Sequence, residues 1–500
     1  MRWALIGLAG LATLAAVLIT EENWRGRREW TAYRQAAEAR GERLDLASVI
    51  APTVSDAENF YAAPIVAETL RYLHNHEQGA NRLNFEVERG DSELWPTNGG
   101  NWEKGRLTDL KPWRDYFRNY SQTPEGRTNG FPIAAQPQTP AADVLLALSP
   151  FNPALEELRL ASLRPRARMP LPYDRGFEAT EELLPWLACE KRCARLLQLR
   201  ILAELQAGQG GPALEDLKLF TRLIDSLRDQ PFLISHLVRI AMQAVELQPV
   251  YEGLAQRRWN DAQLAELEAV LSGQDFLADF GTAMRGERTC AIETFEAQRL
   301  TRELKAAAGD NGSQIVTNSL RLVPSAYFYQ NQLAFARMYE QYVLPLVNLT
   351  NRTVSISAYH TVEADINAQM KHRSMYTGQA LSLFPAVGKS VLKFALIQGD
   401  LDLTRVACEL ERYRLAHGVY PETLAALAPQ NIAAVPSDLI NGQPLQYRRT
   451  ETSTAQSPNG TGGGFVLYSV GWNGKDDGGV VGLTKSGRLD SQQGDWVWKY

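Results

Sequence analysis

The chain has no G-x-S-x-G, no H-E-x-x-H and no G-x-x-x-x-G-K-[ST] string, so serine hydrolases of the nucleophile-elbow type, zincins and P-loop nucleotide enzymes lose their sequence handle. It is also poor in cysteine. The four present, Cys189, Cys193, Cys290 and Cys408, are too few and too scattered across 500 residues for a disulfide scaffold, although they permit one or two bridges. No excess of one charge sign is present. Lys and Arg number 52 against 57 Asp and Glu, a formal net charge of −5, which leaves no electrostatic footprint for nucleic acid. Low-complexity tracts are absent as well.

What is there is the composition of a folded protein, 45% hydrophobic and 22% charged. At 500 residues, two or three units are expected. The segment 3–20, WALIGLAGLATLAAVLIT, carries no charge. About 20 apolar residues cross the hydrocarbon core, and a signal-peptide apolar region is shorter, so an uncleaved single-pass anchor over 1–21 is expected. Arg25, Arg27 and Arg28 just after it favour a cytoplasmic location for the rest of the chain. An apolar segment starting at residue 3 commonly acts as an export signal, and the balance of the two places the bulk of the chain outside the cytoplasm, on the inner membrane.

Residues 22–58 begin as a charged helix ending near Gly41, a solvated stalk because acidic residues alternate with the arginines. A helical body follows over 59–398, interrupted by Pro-, Gly- and Asn-rich loops in 90–140 that cover it. Trp95, Trp102 and Trp113 in that stretch either line a groove or pin the loops to the core. Helical spacing is strong over 177–305. Gln206–Gly211 is a break, Pro231 suits a first turn, Pro249 a kink, and Asn260 or Asp261 a cap. Helices continue through 318–350 and 361–399, separated by a turn or short strand in 348–359. With no fixed repeat motif, the body is an irregular bundle or an α-solenoid-like array.

Candidate metal ligands in the body are weak. Cys189 and Cys193 share a helix face but lack two further ligands nearby. His74 and His76, two apart, point to different faces of a helix, and His360 with Glu363 and His372 matches no signature.

The last hundred residues, 399–500, carry the densest pattern. Residues 400–417 place Leu403, Val406, Ala407, Leu410 and Tyr413 at helical spacing, with Gly418 where a left-handed cap belongs. A short helix over 421–429, strands at 444–449 and 464–471, the acidic glycine loop WNGKDDGG (472–479) and a closing DWVWKY complete an α+β unit. Through ELERYRLAHGVYPETLAAL, DLINGQPLQY and FVLYSVGWNGKDDGG this unit resembles the soluble head of the major, G-type pseudopilin of type II secretion systems. The resemblance implies a structural calcium ion held by Ser469, Asn473, Asp476 and Asp477, with Asn473 where the family usually has Asp. Oxygen ligands on a loop suit a hard cation. The apolar segment departs from that family: it lacks the leader site and the Glu of a pilin, and about 380 residues separate it from the head-like unit, so assembly into a pilus is not implied. The whole chain also resembles large membrane-anchored proteins of Verrucomicrobia and Planctomycetes through ALEDLKLFTRLIDSLRDQPFLISHLVRIAM, AMRGERT and WNGKDDGG, a resemblance that implies architecture only.

The expected fold is therefore mainly α, with an N-terminal transmembrane helix and a small C-terminal α+β unit. Without catalytic strings, the expected function is a membrane-tethered envelope module that binds or scaffolds a protein partner, with a link to type II secretion implied by the head. The alternative is an envelope enzyme with a cleft between the 90–140 loops and the helices.

Overall fold

The computed structural model describes residues 2–499 except 76–79, 91–95, 97–98, 309–322, 373, 375, 430–431 and 451–462. Its first helix, α1 (Arg2–Ala39), is 38 residues long, about 57 Å at 1.5 Å per residue. The apolar window of α1 is long enough to cross a membrane and none of it is buried in the body. Its second half is not the solvated stalk expected from its charges. Gly26, Trp30 and Ala37 fall on one face and are buried against α11 (Phe276–Ala308) and α12 (Ser325–Met338), while most of the arginines project outward. Asn23 accepts the Ala326 N–H at 2.8 Å, closing the N-terminus of α12, and Glu340 takes both the Tyr33 hydroxyl and Arg40. Helix α1 ends at Gly41, whose φ of +86° is a left-handed stop.

The body is built from α2 (Pro64–His74), α3 (Lys111–Tyr120), α4 (Gly126–Asn129), α5 (Pro140–Leu148), α6 (Asn152–Ser162), α7 (Ala179–Gln206), α8 (Gly210–Ser226), α9 (Leu233–Ala255) and α10 (Asp261–Ser272), followed by α11 and α12. Gly208, at φ +76°, makes the break between α7 and α8. Asn260 caps α10 in a reciprocal capping box with Gln263. Strands β1 (Val347–Asn348) and β2 (Thr353–Val354) pair antiparallel before α13 (Ile356–Met370) and α14 (Gly378–His417). Helix α9 packs against both α7 and α14, and α14 also packs on α10 and α11. Stacked repeats touch only their neighbours, so this is an irregular bundle, and α14 is the strut that joins its parts.

The boundary expected at residue 399 falls inside that strut. Helix α14 runs unbroken for 40 residues to Gly418, which takes the expected left-handed cap at φ +80°. Its C-terminal half carries the sheet β3 (Gln446–Thr450), β4 (Gly464–Ser469) and β7 (Trp496–Lys499), antiparallel in the order β3-β4-β7, plus the hairpin β5 (Val481–Leu483) and β6 (Leu489–Gly494). Gly399 leaves room for the Trp496 ring against α14. Leu467 and Trp498 of the sheet belong to the same hydrophobic core as the body helices, so the two parts share one interior.

Candidate functional site

The four residues that the resemblance singles out each have protein partners in this structure. Ser469 is buried in β4 and donates to Asp438 at 3.1 Å, whose other oxygen takes the Val470 N–H. Asn473 donates to Asp477 at 2.7 Å, and Asp476 accepts from Tyr468 and from the Gly478 N–H. Asp495 holds the loop from behind, accepting the N–H groups of Asp477, Gly479 and Val480. Each carboxylate thus has protein donors, and among the described residues no three His, Cys, Asp or Glu side chains cluster as metal ligands. The other ligand candidates come together at most in pairs among the described residues, Cys189 with Cys193 and His360 with Glu363. Cys189, Cys193, Cys290 and Cys408 are free and buried, His74 pairs with Glu182 at 3.2 Å, His360 pairs with Glu363 on the surface, and His76 lies outside the described residues.

Several carboxyls are buried in the body and held by protein donors, although Glu190 keeps one buried oxygen without a hydrogen-bond partner. Glu190 accepts from the Trp186 indole and the Ser226 hydroxyl, both at 2.8 Å. Glu246 accepts from Thr221 and Gln243, both at 2.6 Å. Burial pushes each up to about 8, toward the neutral acid. They lie among packed helices.

A different part of the molecule holds an open site. Between the segment 96–113 and helices α7, α9 and α14 lies a cleft of about 580 Å³, within the size range of small-molecule sites. The segment is fixed by backbone chemistry. Asn101 and Arg106 exchange N–H···O bonds of 2.9 Å around a short 3-10 turn at Trp102–Lys104, ended by Gly105 at φ +68°. Gln248 on α9 then clamps both sides of the turn, accepting the Trp102 N–H at 2.7 Å and donating to the Arg106 carbonyl at 3.1 Å. One turn further along α9, Glu252 accepts the N–H and hydroxyl of Thr108 at 2.8 and 2.5 Å. A side chain at Gly100 would strike the Gln248 amide and the Thr108 hydroxyl, so only glycine admits this approach.

Trp102 and Trp113 pin the segment and also line the cleft. The Trp102 ring lies 5.2 Å from that of Trp498, which meets Tyr251 at 5.3 Å; Tyr251 donates to the Lys499 carbonyl at 3.0 Å. Helix α9, the covering segment and strand β7 therefore meet at one joint. Trp95 lies outside the described residues.

Two carboxyls face the cleft, Glu103 from the 3-10 turn and Asp400 from α14. Asp400 is only 5% exposed, and among the described residues its carboxyl has no hydrogen-bond partner. Burial raises it well above the usual carboxylate range, and the nearby charge of Glu103 adds to the effect. Glu103 is raised by burial, opposed by the Asn101 amide and the Lys104 charge. Arg195 of α7 and Lys393 of α14 line the cleft as well, both on its exposed margin. No family model, curated protein or solved structure matches this chain. The site therefore stands on its geometry.

None of these four residues, nor Gln248 or Glu252, stands out in the sequence as functional. Asp400 is the instructive case. At the start of a helix beginning at residue 400 an Asp is an ordinary residue that complements the helix dipole; in a helix that begins at Gly378 it is a charge in the middle of a buried face, between Ile397 and Leu401. A polar pair four apart within an apolar helix, Gln248 and Glu252, was the other available signal.

Proposed function

We propose that this chain is a single-pass protein of the inner membrane whose body stands outside the cytoplasm and acts as a binding module, with the cleft between residues 96–113 and helices α7, α9 and α14 as its recognition site. The observation that carries the reading is the buried Asp400 carboxyl, which faces a preformed cavity without a partner among the described residues. A buried ionisable group without a partner is costly, and such a cost persists where a ligand supplies the missing contact. The helical surface of the body offers room for a protein partner beside that site. The pseudopilin-like head makes a component of type II secretion one class of partner.

Native mass spectrometry of the full-length protein extracted from membranes tests the reading. The expected result is a small ligand that co-purifies with the wild type and is lost in Gly100→Val, which blocks closure of the covering segment. Absence of any adduct, together with no saturable change in tryptophan fluorescence on adding peptide or amine mixtures, would overturn it.

One observation favours catalysis as a second reading. Two carboxyls line one cleft and burial raises both, the direction that general acid catalysis requires. Turnover of the co-purified ligand that falls by two orders of magnitude or more in Glu103→Gln would establish this reading; tight binding without turnover would exclude it.

A further inference from the structure

The charged groups of the cleft are sorted along its length. Helices α7, α9 and α14 run past it in the same direction. Gln198 of α7 donates to the Val245 carbonyl of α9 at 3.1 Å, and further along the same two helices Gln206 and Glu252 both engage Thr108. The His236 ring of α9 lies 6.3 Å from Phe394 of α14, and at the other end Glu103, Gln248 and Asp400 line the same wall. Arg195, one turn before Gln198, and Lys393, next to Phe394, therefore stand on the N-terminal side of Gln198 and Asp400 along their helices, whereas Glu103 follows Trp102, which Gln248 bonds, and lines the cleft with Asp400. Seven residues of α14 separate Lys393 from Asp400, about 10 Å along the axis.

The two ends differ in solvation. Arg195 is exposed and shares its charge with Glu88 at 3.1 Å, and Lys393 is exposed and pairs with no carboxylate among the described residues. The acidic end is enclosed. Leu199, Leu202, Val245 and Leu396 form the wall between the ends, with Trp102 and Trp113. Fields from enclosed charges are screened less by water than those at a rim.

We infer that the cleft takes a short linear peptide with free ends, its ammonium group between Glu103 and Asp400 and its carboxylate toward Lys393 and Arg195. The length follows from the chain: at about 3.3–3.6 Å per extended residue, three residues span about 10 Å. The chemistry follows from the donors and acceptors. An ammonium donates three hydrogen bonds, enough to satisfy Asp400 and Glu103 together, and the apolar wall receives side chains. This inference rests on the binding reading given above and assigns the class of ligand to it.

Four forms of one tripeptide, Ala-Leu-Ala, test it by calorimetry with the full-length protein in detergent: free, N-acetylated, C-amidated and capped at both ends. The free form is expected to bind tightest. N-acetylation should weaken it at least tenfold, and C-amidation by a smaller factor of about three, because the cationic end is open to water. In Asp400→Asn the N-acetylation effect should shrink to less than threefold, and in Lys393→Gln the amidation effect should vanish. Lys393→Gln alters an exposed side chain and keeps the test valid if Asp400→Asn fails to fold. Binding of all four forms within a factor of two of one another would overturn the end assignment and leave the cleft as a binding site. No binding by any form would overturn both readings.

Discussion

The acidic glycine loop at 472–479 and the cleft below residues 96–113 both bring carboxyl groups together, and they handle them in opposite ways. In the loop, Asp476 and Asp477 are exposed and bonded to protein donors, and Asp495 accepts three backbone N–H groups. In the cleft, Asp400 is enclosed, without a hydrogen-bond partner among the described residues, and feels the charge of a second acid, Glu103. The loop has the sequence pattern and spends its carboxylates on its own backbone. The cleft has no pattern and holds one in reserve. A carboxylate already satisfied by N–H groups has little to offer a ligand, whereas an enclosed one without donors gains most from one.

The comparison breaks most visibly at Gln248. Its replacement by Leu removes the acceptor of the Trp102 N–H and one of the two donors to the Arg106 carbonyl, which keeps the Asn101 N–H, so one backbone group is left unpaired. The expected cost is about 1–3 kcal/mol, read as a fall in denaturation midpoint, with loss of any cleft ligand. A smaller loss would mean that water replaces the clamp.

Asp400→Asn sharpens the contrast with the opposite sign. The folded state raises this carboxyl, so it binds its proton more tightly when folded. Stability is then reduced by Asp400 above the unfolded value of about 4, and increasingly so as pH rises toward the folded value. The variant should be more stable than wild type by about 1–2 kcal/mol at pH 8 and equal to it at pH 3, as measured by denaturant titration at both pH values. A variant less stable at pH 8 would show that Asp400 has a structural partner.

The smallest effect belongs to the loop. Asp477→Asn changes an exposed group whose neighbour Asn473 can still bond it, so a shift within about 0.5 kcal/mol is expected. The calcium ion implied at Ser469, Asn473, Asp476 and Asp477 is tested by melting with calcium against chelator. With Ser469 turned to Asp438, calcium should raise the midpoint slightly or not at all. A large rise lost in Asp477→Asn would establish the loop as a metal site.

Local rules made much of the helical framework legible. The long apolar first helix, the breaks at Gly41, Gly208 and Gly418, the cap at Asn260 and the pairing of β3 with β4 all follow from neighbouring residues. Other features were out of reach for the same reason. Glu103, Asp400, Lys393 and Gln248 come from three segments spread over about 300 residues, and each is ordinary where it stands. The stalk misled because its charges are frequent and its buried face is narrow: Gly26, Trp30 and Ala37 make only a thin stripe among arginines.

By itself the sequence determined where helices start and stop, that one of them is apolar enough for a membrane, and that the end of the chain forms strands, because capping, periodicity and left-handed glycine are short-range effects. Only the tertiary structure decided that α14 runs through the expected boundary, that α1 is docked along its second half, and that four distant charges sort into two ends of one cleft. Burial and separation in space, the quantities that give a carboxyl or an ammonium its chemistry, belong to the folded chain.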